Sequence, residues 1–125
     1  MAYRSFEELD VWQRVCRQSV SIYNEFDSCR KFSLKDQIER AGLSVVSNIA
    51  EGSERNSAQE FQRFLNIALG SNGELRTQLY ISRKLDLITQ ETFNSLISES
   101  KEISAKLRGL WQSIEDRKPS AHKST

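Results

Sequence analysis

The chain has 125 residues, enough for one domain with a substantial core that needs neither disulfide nor metal to hold it. Its 18 Lys and Arg stand against 17 Asp and Glu, so net charge gives no pull toward a polyanion or a membrane, and any nucleic-acid site has to be a local patch. No apolar run approaches the ~20 residues that span a bilayer, and the acidic, polar start MAYRSFEELD does not read as a secretory signal, so a cytoplasmic location is expected.

The single proline is Pro119, so no proline interrupts a helix before it. In the first segment Phe6, Leu9, Trp12, Cys16, Val20, Tyr23 and Phe26 recur at three- and four-residue steps and define a helical stripe. Leu34, Ile38, Ala41, Val45 and Ile49 do so in the second. Phe61, Phe64, Leu65, Ala68, Leu75 and Leu79 mark the third, and Phe93, Leu96, Ile97, Ile103, Leu107, Leu110, Trp111 and Ile114 the fourth. Start signals divide the chain in the same way. Ser5 to Glu8, Ser33 to Asp36 and Ser57 to Glu60 match the S-x-x-[DE] capping box, and Thr89 is a fourth cap, with Ile88 and Phe93 placed as a hydrophobic staple. Gly52 is expected to end the second helix in a left-handed conformation. Gly70-Ser71-Asn72-Gly73 looks like a turn, but the apolar phase runs through it from Ala68 to Leu75. A continuous helix with small residues facing a close neighbour is therefore expected.

The spacing predicts helices over about 6–27, 34–51, 58–86 and 90–117, all within one bundle spanning 1–118, and a disordered polar tail over 119–125. Short connections favour an all-α, antiparallel up-down-up-down four-helix bundle. Val11, Val15, Ile22, Ile67, Leu69, Tyr80 and Ile81 fall outside the four stripes, which points to self-association.

Catalytic constellations are missing from the sequence. The one histidine, His122, lies in the expected tail, and no E-x-x-H, HExxH, GxGxxG or GxxxxGK[ST] occurs, so no cofactor, metal or catalytic residue is assigned and an enzyme is not expected. Cys16 falls on the apolar stripe and Cys29 beside Arg30 and Lys31, neither with an acid-base partner. What remains is surface. Arg40, Arg55, Arg63, Arg76, Arg83 and Lys84 lie on or between the second and third helices, interleaved with Glu39, Glu51, Glu54, Glu60 and Glu74. They are either a local positive patch or ordinary helix-surface charge.

Phe6-Glu7-Glu8-Leu9-Asp10-Val11-Trp12-Gln13, Gln37 through Ala41, and Ser47-Asn48-Ile49-Ala50-Glu51-Gly52 with Arg55 resemble a bacterial family. The match continues through Phe61, Phe64-Leu65, Ile67-Ala68, Gly70-Ser71, Glu74-Leu75 and Thr77-Gln78-Leu79. These segments resemble the four-helix-bundle proteins encoded in intervening sequences of bacterial large-subunit ribosomal RNA genes. The resemblance implies a ring-like homopentamer without established enzyme activity. It also implies similarity to the accessory proteins of diversity-generating retroelements, which bind nucleic acid and a reverse transcriptase. On that basis Arg40, Arg55 and Arg63 are the candidate nucleic-acid-binding residues, and the expected partners are further copies of the chain and RNA or another nucleic acid. A protein-interaction module with no nucleic-acid binding is the alternative. The sequence departs from the family pattern at Glu39-Arg40, where paired arginines are common, at Phe26-Asp27 in the first connector, and at Asn72-Gly73.

Overall fold

With no proline before Pro119, the backbone runs as four long helices: α1 (Asp10–Glu25), α2 (Phe32–Ser53), α3 (Ala58–Lys84) and α4 (Gln90–Arg117), preceded by a single 3-10 turn at Phe6–Glu8. A computed structural model describes residues 5–119; residues 1–4 and 120–125 lie outside the described residues, and with them His122 and nearly all of the tail expected to be disordered. Among the described residues there is no strand.

Two of the four expected caps form. The Ser57 hydroxyl accepts from the Glu60 amide at 3.0 Å, and the Thr89 hydroxyl accepts from the Thr92 amide at 3.1 Å. Each satisfies one amide that the first turn of a helix leaves without a partner. Ile88 is buried, and Phe93 packs against the same cluster, as a staple requires. The other two caps do not form. Ser5 makes no side-chain cap, and α1 starts after Leu9. Ser33 lies inside α2, which already begins at Phe32 after the uncapped Lys31. The α3 C-terminus closes through paired bonds, from the Leu87 amide to the Ser82 carbonyl at 2.9 Å and from the Asp86 amide to the Arg83 carbonyl at 3.1 Å. Asp86 takes the left-handed conformation (φ 60°) usual for glycine in this motif, and Arg83 holds its carboxylate at 2.9 Å.

The helices bury two apolar clusters. One gathers Val11, Val15, Val45, Ile49, Phe61, Leu65, Ile103 and Leu107; the other gathers Ile22, Phe26, Ile38, Leu75, Leu79, Ile88, Leu96 and Ile97. Partners in sequence follow opposite trends. Gly52 faces Phe61 and Phe64 while Gly42 faces Leu75, and Gln62 reaches Trp111 and Glu115 while Asn72 reaches Ser100 and Ser104. Most stripes are buried as the periodicity predicts, but α1 is rotated from the expected phase. Val20 is 59% exposed and Tyr23 41%, whereas Val15 and Ile22 are fully buried and Val11 is nearly so. Those three are therefore core residues and not surplus ones, while Ile67, Tyr80 and Ile81 do remain exposed.

Between the two clusters lies a polar layer supplied by all four helices. Asn72, with no exposed surface, donates to the Ser100 carbonyl and the Ser104 hydroxyl, both at 2.8 Å, and accepts from Gln18 Nε2 at 3.3 Å and the Ser100 hydroxyl at 3.1 Å. This fills the hydrogen-bonding capacity of its amide. Ser44 and Ser71 share a hydroxyl contact at 2.8 Å, and Asn48 donates to the Ser44 carbonyl at 2.8 Å. The Arg76 guanidinium closes the layer, its Nη1 donating to the Ser104 hydroxyl at 2.9 Å and to the Ser100 hydroxyl at 3.2 Å.

The glycines act differently from their sequence reading. Gly52 sits inside α2 without a positive φ, and a Cβ there would lie 2.6 Å from Phe64 Cβ and 3.1 Å from Phe61 Cδ1. Close helix approach, and not a left-handed turn, accounts for this glycine. Gly70 and Gly73 run in continuous α3 as expected, yet a Cβ at either would meet nothing within 4 Å. Within the chain, the close approach expected there falls on Ser71 and Asn72 instead.

Candidate nucleic-acid interface

The three candidate arginines lie on α2, the α2–α3 turn and α3, and two of them come together. At the turn, Gly52 lets the first turn of α3 close onto α2, which seats Phe64 with 7% of its surface exposed. The guanidinium carbons of Arg55 and Arg63 both lie 4.9 Å from the Phe64 ring centroid. At this range the ring quadrupole attracts each cation and limits its motion. Arg40 is not part of this group, because it lies back along α2, about 16 Å from Glu51 by helical rise.

Each arginine also carries its own carboxylate. Arg40 Nε reaches Asp36 at 2.9 Å, Arg55 Nη2 reaches Glu51 at 2.9 Å, and Arg63 Nε reaches Glu60 at 3.5 Å. These pairs are solvent-exposed and stabilise the fold by at most about 1 kcal/mol each. Their electrostatic consequence is larger: an approaching phosphate meets a cation already partnered by an anion. Glu39 is engaged by Lys35 at 2.7 Å, and this hydrogen bond raises the lysine pKa.

Neither cysteine occupies a catalytic setting. Burial pushes the Cys16 thiol up, with Arg17 opposing the shift, so the reactive thiolate is disfavoured. Cys29 is half-buried against the second apolar cluster. Among the described residues no group of three or more His, Cys, Asp or Glu is arranged to hold a metal ion, and no helix is long and apolar enough to cross a membrane.

Sequence reasoning found the arginines and missed what holds them. The Phe64 platform required knowing that Gly52 admits α3, and the signal was present in the Gly52 to Phe64 spacing without a way to read it.

Comparison with known proteins bears on the fold and the family. The crystal structure, at 1.70 Å resolution, of a protein with unknown function from the S23 ribosomal protein family of Bacteroides thetaiotaomicron VPI-5482 is similar to this fold, with a TM-score of 0.76 and 30% sequence identity. The similarity covers 81% of this chain and 97% of that one. No curated protein sequence matches the chain. The model of the 23S rRNA-intervening sequence protein family matches residues 7–109, which include α1 to α3, most of α4 and the Gly52, Arg55 and Phe64 positions, and the chain belongs to that family.

Proposed function

We propose that the protein is a non-catalytic, oligomeric scaffold that associates with RNA or a ribonucleoprotein in the cytoplasm. The observation that carries the reading is membership of the 23S rRNA-intervening sequence protein family, and the convergence of Arg55 and Arg63 on Phe64 holds two exposed guanidiniums side by side at one end of the molecule. A guanidinium stacked on a ring donates through its edge, and here one nitrogen of each edge is given to Glu51 or Glu60, which leaves the others for phosphate oxygens.

The finer architecture in this reading is an antiparallel up-down-up-down bundle assembled as a ring-like homopentamer. Opposed sequence trends support the first part: Asp10 pairs with Lys106 while Arg14 pairs with Glu99, and the α2–α3 and α3–α4 contacts run likewise. Exposed Val20, Tyr23, Leu43, Ile67 and Ile81 support the second, since each leaves apolar surface in water that a further copy would cover.

The rival reading is a protein-interaction module without nucleic-acid binding, favoured by the carboxylate beside each candidate arginine. Fluorescence anisotropy of labelled structured RNA and matched DNA over a salt series separates the two. Binding that weakens steeply with salt supports the scaffold. No binding at low salt leaves the interaction module. Light scattering is expected to return a mass several times that of the 14.4 kDa chain, and a strict monomer contradicts the oligomeric part.

A further inference from the structure

Ion pairing divides the helix seams unequally. On the α1–α4 seam Arg14 meets Glu99 and Lys106 meets Asp10, and around α2 and the start of α3 every candidate arginine has a carboxylate. Arg76, Lys101 and Arg108 are different, because none of them forms an ion pair among the described residues. All three belong to the α3–α4 seam. Arg76 is fastened to Ser100 and Ser104 of α4, Arg108 lines a notch of about 280 Å³ with Trp111, Leu69 and Asn66, and Lys101 stands seven residues before Arg108, on the same face of α4.

The carboxylates nearest in sequence turn elsewhere. Glu74 faces α2, in the groove with Gln37 and Arg40, while the charges of Glu99 and Glu102 act on Arg14 of α1. Arg17, Arg30, Lys31 and Lys84 also appear in no ion pair, but Arg17 shares its groove with Asp10 and Glu99, Arg30 and Lys31 lie in the α1–α2 connection, and Lys84 is the last residue of α3, away from the middle of this seam. The middle of the α3–α4 seam is thus a stretch where positive charge is gathered without its counter-charge. Arg76 is held in place through one nitrogen by the interior layer, so fixing its position costs little further entropy on binding.

We infer that the α3–α4 seam, through Arg76, Lys101 and Arg108, binds a single polynucleotide strand, with phosphates on the three cations and bases against Tyr80 and the Trp111 notch. Lys101 and Arg108 stand two helical turns apart, about 10 Å, so the two cations meet different phosphates of one strand. Tyr80 is 45% exposed and its ring is fixed edge-on against Phe93 at 5.1 Å, so it offers a braced stacking surface at one end. Gly73 leaves open space where a side chain would stand between Leu69 and Arg76, keeping that part of the seam at backbone level. The inference rests on the RNA-associated reading above and moves the binding surface from Arg55 and Arg63 to this seam.

The test is anisotropy of a labelled 12-nucleotide oligouridylate with the full chain over a salt series, comparing wild type, Lys101→Ala/Arg108→Ala and Arg55→Ala/Arg63→Ala. Both double variants change exposed side chains, so the fold is retained and circular dichroism checks it. The seam variant is expected to lose affinity, with the slope of log K against log salt falling by about 1.4, roughly 0.7 for each single-strand phosphate contact removed. Tyr80→Ala is expected to weaken binding about tenfold or more at unchanged slope. If the Arg55 and Arg63 variant loses binding while the seam variant keeps it, the seam assignment is overturned and the RNA reading stands. If wild type does not bind at low salt, both fall. If Lys101→Glu/Arg108→Glu changes the assembly mass in light scattering, the seam is a contact between copies and the inference is overturned.

Discussion

Around Phe64, two arginines are held by a ring from below and by Glu51 and Glu60 from the side; along the α3–α4 seam, Arg76 is held by two serine hydroxyls of α4, with Lys101 and Arg108 beside it. The first arrangement fixes geometry and cancels charge. The second leaves the charge intact, because hydroxyl and carbonyl oxygens orient a guanidinium without neutralising it. A helix surface rich in arginine is therefore a poor guide to where a polyanion binds. The carboxylates three and four residues away decide it.

Breaking the interior support of the seam is expected to have the largest effect. Asn72→Ala removes an amide that makes four hydrogen bonds with Gln18, Ser100 and Ser104, and leaves two buried donors, Gln18 Nε2 and the Ser100 hydroxyl, without their acceptor. A loss of about 3 kcal/mol is expected in urea unfolding. A loss under 1 kcal/mol would show that water replaces the amide and that the layer does not anchor the seam. Gly52→Ala addresses the other region. Its Cβ would overlap Phe64, so a destabilisation of about 1–3 kcal/mol is expected, accompanied by a changed environment for Arg55 and Arg63 in NMR. An unchanged melting temperature would mean that α3 does not need this close approach. Smaller still, Ser57→Ala is expected to cost about 1 kcal/mol by removing the α3 cap, whereas Ser33→Ala, inside α2 with no cap to lose, is expected to stay within about 0.5 kcal/mol. Equal costs would contradict the helix starts described above.

Much of this architecture could be read from the sequence, and the failures have physical causes. The α4 stripe was legible because its apolar residues recur with little competition, and Leu107 and Ile103 are fully buried accordingly. In α1 two stripes interleave. The true one, Val11, Val15, Ile22 and Phe26, is interrupted by Gln18 and Ser19, both buried, Gln18 because it supplies the polar layer and Ser19 where α1 packs against Gly42 of α2. A polar residue in a core position hides the phase, so the unbroken run through Val20 and Tyr23 appeared to be the core face. Asn72-Gly73 carried the matching half of the same signal on α3 and was read as a departure from pattern. At the surface, Arg40, Arg55 and Arg63 were legible as cations, and their partners at i−4 and i−3 could have been counted from the sequence. The isolation of Arg76, Lys101 and Arg108 could not, because it depends on Glu74, Glu99 and Glu102 turning toward other helices.

Hydrogen–deuterium exchange with and without the oligouridylate tests the contrast between the two regions most directly. The account predicts added protection in peptides covering 69–80 and 101–112, with the 51–64 segment unchanged. Protection confined to 51–64, with the seam unaffected, would contradict it.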